Sequence, residues 1–260
     1  MRKALDNFYG RARRSIAPGL CYSQEVYERV LDEYLAEGAV WLDLGCGHQV
    51  LPPWRAEAER RLVGRCRAVV GLDYDAKSLT HHESIRHRLR GDISRLPFAD
   101  DTFDLATMNM VVEHLSDPAV QFREVGRVLR PGGLLIFHTP NAHSHFVMLR
   151  RLVPGGVARW LARLLEEREA DDVFEVHYKA NTRRRIRELA GESGLEVSEL
   201  RMISTDASLK LIPPLVVVEL LWIRALMTGP LAPLRTNIIG VLRKPPAAAA
   251  GGNGRGGDGG

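Results

Sequence analysis

The sequence predicts an α/β protein, a doubly wound parallel sheet with helices on both faces, and three observations predict it. Short apolar runs rich in β-formers recur along the chain. Amphipathic segments of helical period separate them. Glycine, aspartate or asparagine closes each of the first four runs, where sheets of this kind bind their ligands. With 260 residues, 45% of them hydrophobic, the chain can bury one large core.

The basic start, M-R-K-A-L-D-N-F-Y-G-R-A-R-R-S, lacks the apolar centre of a secretion signal. With the amphipathic stretch Ser23–Leu35 it reads as a helical lead-in over residues 1–38. The first strand, Ala39–Leu44, carries Asp43 and breaks in the Gly45-Cys46-Gly47 turn. A helix over Pro52–Leu62 follows, then a strand at Ala68–Leu72 that runs into Gly71-Leu72-Asp73-Tyr74-Asp75, with Asp75 suited to cap the next helix. A short strand at Ile85–Arg90 ends in Gly91-Asp92-Ile93, and a fourth at Phe103–Met108 ends at Asn109. Asp117 as N-cap and Pro118 at the first helical position open a helix to Leu129. R-P-G-G at 130–133 should close it and turn the chain into a fifth strand, Leu134–Phe137. A last helix begins at Thr182 and is capped by Gly194; Leu195–Met202 and Asn237–Leu242 read as the final strands. The end, P-P-A-A-A-A-G-G-N-G-R-G-G-D-G-G, cannot bury apolar surface, so residues 245–260 should be a disordered tail.

Composition removes some functions. Lys and Arg number 36 against 32 Asp and Glu, too small an excess to demand nucleic acid, and 7% aromatic residues offer no base-stacking platform. Cys21, Cys46 and Cys66 show no paired spacing and read as buried thiols of a reducing, cytoplasmic protein. Cys46 and His48 find too few neighbours for the four ligands zinc takes, so no metal is expected.

Because consecutive parallel strands line up their carboxyl ends, Asp43, Asp73, Asp92 and Asn109 should converge on one crevice. A dinucleotide fits poorly there. The G-x-G-x-x-G pattern fails at Val50, and Asp43 would face a pyrophosphate of like charge. A ligand bearing a sulfonium and an ammonium would be attracted by that carboxylate.

Four motifs, V-W-L-D-L-G-C-G, V-V-G-L-D-Y-D, G-D-I-S-R-L-P-F-A-D-D-T-F-D-L-A-T-M-N-M-V-V-E-H-L-S-D-P and V-L-R-P-G-G-L-L-I-F-H-T-P-N, run in order from about residue 40 to 141. In them the sequence resembles the class I S-adenosylmethionine-dependent methyltransferases, in the type 11-like branch that acts on small molecules and lipids. The resemblance implies a Rossmann-like, seven-stranded sheet whose last strand is antiparallel, spanning 39–244, and S-adenosylmethionine as cofactor. It implies that Gly45, Cys46 and Gly47 form the turn at the methionine end. Asp43 would orient the amino group, Asp73 would take the ribose hydroxyls with Tyr74 beside it, Asp92 would take the adenine amine with Ile93 on the ring, and Asn109 would close the pocket. Glu113 and His114 would line it. The run Asn109-Met110-Val111-Val112 departs from the N/D-P-P-Y/F of base-methylating relatives, which counts against a nucleic-acid substrate.

Methyl transfer to a hydroxyl benefits from a general base, and histidine titrates near neutrality. His143 and His145, just past strand five, are the catalytic candidates ahead of His138 and His177. Two segments, 141–180 and 204–235, depart from the core pattern and should shape an acceptor site. The first reads as two short amphipathic helices around Pro154-Gly155-Gly156; the second is greasy yet too broken by Pro213, Pro214, Glu219 and Arg224 to cross a membrane, which takes roughly 20 apolar residues. With Arg150, Arg151 and Arg183–Arg187 it suggests peripheral contact with a membrane. The expected activity is methyl transfer from S-adenosylmethionine to oxygen or carbon of a small-molecule, saccharide or lipid-linked acceptor. The alternatives are a non-catalytic S-adenosylmethionine-binding protein and a nicotinamide-dependent oxidoreductase.

Overall fold

The structure, a computed structural model, describes residues 2–152, 175–210 and 212–246. The expected second short helix after Pro154 and the tail beyond Pro246 lie outside the described residues. Two helices, α1 (Arg2–Ile16) and α2 (Ser23–Tyr34), precede β1 (Val40–Leu44), and a 3-10 turn at Pro53–Arg55 leads into α3 (Ala56–Gly64). Then come β2 (Ala68–Asp73), α4 (Ala76–Thr80), β3 (His87–Arg90), β4 (Phe103–Asn109), α5 (Pro118–Val128), β5 (Leu129–Pro140) and α6 (His145–Leu152). The chain finishes with α7 (Arg183–Glu192), β6 (Glu196–Ile203), α8 (Pro213–Leu226) and β7 (Asn237–Arg243).

The seven strands form one sheet in the order β3-β2-β1-β4-β5-β7-β6. The first five run parallel, and β7 is antiparallel to both its neighbours. The order reverses between β1 and β4, which places the ligand crevice at the carboxyl ends of those two strands.

Strand alternation divides the core. Leu42, Leu44, Ala106, Met108, Leu135 and Phe137 face α5 and α7, against Phe122, Val125, Ile186 and Leu189. Trp41, Leu105 and Ile136 face α2 and α3, against Tyr27, Val30, Leu31 and Leu62. A smaller third cluster joins Tyr9, Ala17 and Leu20 of the lead-in to Val216, Leu220 and Ile223 of α8. The caps fall where expected: the Asp117 carboxylate accepts from Val120 N (3.4 Å) and the Thr182 hydroxyl from Arg185 N (3.2 Å).

Some expectations need correction. R-P-G-G does not separate helix from strand: β5 already starts at Leu129, and Gly132, at φ +85°, lets the extra residues bulge while β4 advances only from Phe103 to Leu105. The strand also continues through Pro140, so His138 lies inside it and not after it. Asp104 lies on β4, where it accepts from Val40 N on β1 (2.8 Å) and pairs with Arg130. Of the three free thiols only Cys46 is buried. Among its described residues the 204–235 segment holds one α-helix, α8, and a 3-10 turn at Ala232–Leu234. Among the described residues no helix is long and apolar enough to cross a membrane.

Candidate active site

Asp43 on β1 stands level with Thr107 on β4, and alternation turns both toward the α2–α3 face with Trp41. Thr107 Oγ1 donates to Asp43 Oδ1 (2.5 Å) and accepts from Trp41 Nε1 (2.7 Å). Asp43 is 2% exposed, and among the described residues no cationic side chain pairs with it. Burial lifts its carboxyl to about 7; the Thr107 hydroxyl opposes this, and the Glu59 and Asp73 carboxylates add to it.

The two glycines of the turn do different jobs. Gly45 has φ +68°, and a Cβ there would lie 2.4 Å from Val111 Cγ2, so the residue is demanded by packing against the loop after β4. Gly47, at φ +52°, has open space where its Cβ would be. Its N–H donates to Asp73 Oδ2 (2.8 Å), Asp75 N donates to Asp73 Oδ1 (2.8 Å), and Gly91 N bonds the Asp73 carbonyl (2.9 Å). Those bonds bring the ends of β1, β2 and β3 together around one oriented carboxylate. Asp75 itself caps α4, accepting from Lys77 N and Ser78 N.

Other expected residues arrive with qualifications. Asp92 is exposed, its Oδ1 held by Ser94 N (2.8 Å), and Ile93 packs half-buried beside it. Tyr74 is exposed, with the Arg90 guanidinium 5.6 Å from its ring centre. Cys46 turns its Sγ onto β2, where a Cβ on Gly71 would approach it to 2.7 Å, and burial pushes the thiol up; only its backbone faces the crevice turn. Glu113 is a strut, its carboxylate accepting from Thr139 Oγ1 (2.9 Å), while His114 Nδ1 lies 2.8 Å from the Glu175 carbonyl.

Asn109 is the hub of a polar chain. Its Nδ2 donates to Gln24 Oε1 (3.0 Å) and to the Val50 carbonyl (3.1 Å), and its Oδ1 accepts from Gln24 Nε2 (3.2 Å). His138 Nδ1 lies 3.0 Å from the same Oδ1, and His138 Nε2 lies 3.0 Å from Asn237 Nδ2. Burial lowers His138 to about 3, so its ring is neutral at physiological pH. Met110, left-handed at φ +58°, is pinned by its N–H to the His138 carbonyl (2.8 Å).

Three contributors escaped the sequence. Gln24 and Tyr27 come from α2: Tyr27 is fully buried, stacks on His138 (5.7 Å between rings), and sets its hydroxyl beside Thr107 and Asp43 without a well-formed hydrogen bond. Helical spacing marks Tyr27 as core, but nothing in it tells that the phenol meets a carboxylate. Glu59, buried on α3, accepts from Val50 N (3.0 Å) and Leu51 N (2.8 Å) through Oε2 and bonds the Ser84 hydroxyl through Oε1, holding the wall beyond His48-Gln49.

The histidine candidates follow β5 in the chain. His143 is exposed. His145 opens α6, its Nε2 3.7 Å from the buried Glu219 carboxylate of α8 and its ring edge-on to Trp222. Glu219 also accepts from Ser208 N (2.9 Å) and Leu209 N (2.8 Å).

A buried carboxylate without a cation, open space over Gly47 and an oriented carboxylate at the end of β2 fit a ligand that carries positive charge and a diol. Residues 42–137 match the family described as "Methyltransferase domain". A probable S-adenosylmethionine-dependent methyltransferase of Mycolicibacterium smegmatis is 35% identical over 122 residues, 45% of this chain and 43% of that protein. A malonyl-[acyl-carrier protein] O-methyltransferase of Erwinia billingiae is 32% identical over 153 residues, 55% and 56% of the two chains. The chain thus spans about half the length of the curated relatives it matches. In fold it is similar to an S-adenosylmethionine-dependent methyltransferase of Methanosarcina mazei, with TM-score 0.56 at 18% identity over 84% of this chain and 97% of that one. Residues 42–137 accordingly match a methyltransferase domain, and over that stretch the chain is similar to S-adenosylmethionine-dependent methyltransferases, whose fold it shares.

Proposed function

We propose that the chain transfers a methyl group from S-adenosylmethionine to oxygen or carbon of a small, apolar or acyl-linked acceptor. The observation that carries this is Asp43: a carboxylate buried without a counter-cation is costly, and an ammonium or sulfonium placed against it removes the cost. The donor brings an activated methyl whose transfer leaves a neutral thioether. Asp43 would hold the donor's ammonium, Gly45, Cys46 and Gly47 would contact it through backbone, Asp73 would accept from the ribose hydroxyls, and Tyr74, Asp92 and Ile93 would border the base. Asn109, locked by Gln24, would close the methionine end. Alignment and exclusion of water are then most of what such a displacement needs.

For a hydroxyl acceptor, His145 would take the proton, with Glu219 setting its ring; His143 is too exposed to be held in one place. The malonyl carrier methyltransferase among the relatives supports a small acyl acceptor. The test is transfer of labelled methyl from S-adenosylmethionine into lipid, saccharide and small-molecule fractions of a cell extract. Label in the lipid or small-molecule fraction supports the reading. Tight donor binding with no label anywhere would favour a non-catalytic donor-binding protein.

A further inference from the structure

We infer that the outer face of α8 docks on an anionic lipid surface. Scattered exposed apolar side chains are ordinary on a folded protein, but these are not scattered. Ile212, Leu215 (45% exposed), Val218 (64%), Leu221 (54%) and Trp222 (38%) crowd one helix and its N-cap, five of the nine large exposed hydrophobics among the described residues. The spacing 215, 218, 221, 222 lays them along one side of a helix about 21 Å long, opposite the buried Val216, Leu220, Ile223 and Leu226. Met148, also exposed, lies one turn along α6 from His145, whose ring meets Trp222.

Charge selects the occupant. Glu219 is the sole acid of α8 and is turned inward, tied to Ser208 N and Leu209 N, so the apolar face carries no negative charge. Arg224 is exposed, its Nη1 donating to the Ile16 carbonyl (3.0 Å). That bond and the shared cluster set α1 beside α8, and α1 bears Lys3, Arg11 and Arg14 exposed. An apolar face beside a cationic helix matches a bilayer surface with acidic headgroups, whereas a second copy would bring the same cations against themselves. On α7, Arg184 is paired with Glu188, and Arg185 with Glu188 and Glu192.

The inference is read from binding alone and stands or falls apart from the transfer reaction. The full chain is floated with vesicles of phosphatidylcholine and of phosphatidylcholine mixed with phosphatidylglycerol, at low and moderate salt. The expected result is flotation with the acidic vesicles, weakened by salt, and at least about a tenfold loss in the double substitution Val218→Asp, Leu221→Asp and in Arg11→Glu, Arg14→Glu, with far-UV circular dichroism and S-adenosylmethionine affinity unchanged. Flotation with neither vesicle, equal flotation with both, or flotation indifferent to the aspartates would overturn it. So would a dimer in light scattering that the aspartates dissolve, which would assign the face to a second copy.

Discussion

Asp43 ties stability to function. Its folded carboxyl, near 7, lies above an unfolded value near 4, so its protonation favours the folded state below about pH 4 and that support is lost as pH rises to about 7. Asp43→Asn removes this loss: in thermal melts at pH 8 without ligand the variant should be the more stable protein. Its affinity for S-adenosylmethionine should drop about 10²-fold (~2.7 kcal/mol), since the charge proposed to meet the ammonium would be gone. A variant that melts lower, or binds as well, contradicts the role given to Asp43. In the wild type, donor binding should release close to one proton at pH 6 and about half a proton at pH 7, seen calorimetrically as a heat that depends on the buffer. The glycines separate likewise. Gly45→Ala should cost about 2–3 kcal/mol in denaturant unfolding because Val111 blocks the methyl, whereas Gly47→Ala should cost about 1 kcal/mol and mainly weaken donor binding. His145→Gln should lower kcat by about 10²-fold or more with donor affinity unchanged; an unchanged kcat would remove it as the base.

At the level of elements, strand ends were legible and their furniture was not. Asp43, Asp73 and Asn109 could be placed because a buried parallel strand writes itself as an apolar run with an abrupt end. The bulge at 130–133 was misread because Pro-Gly-Gly signals a turn equally well inside a strand and before one. Glu59 left no trace, since an acid on a helix is usually a solvated one, and its partners are the backbone of residues eight and nine positions earlier. Glu59→Ala should strand two buried N–H groups and cost about 2–4 kcal/mol by chemical denaturation; a loss under 1 kcal/mol would show that the wall beyond Gly47 stands without α3.

Across the whole molecule, residues outside the matched stretch 42–137 build part of the crevice: Gln24 and Tyr27 precede it and Asn237 follows it. Periodicity could place α2 on the sheet but could not choose which of its side chains meets β4, because that depends on the angle at which the helix lies. Ligand saturation should be felt globally: S-adenosylmethionine at a hundred times its Kd should raise the melting temperature by roughly 5–10 °C, and a nicotinamide dinucleotide should leave it unchanged. The amide–imidazole chain from Gln24 through Asn109 and His138 to Asn237 crosses α2, β4, β5 and β7. Asn237 Nδ2 can only donate, so His138 Nε2 must accept and the ring proton must sit on Nδ1, shared with Asn109 Oδ1. A single nitrogen-15 resonance pair from His138 therefore serves as a built-in gauge of whether the lead-in helix is seated on the sheet: one frozen tautomer when it is, an averaged ring when it is not.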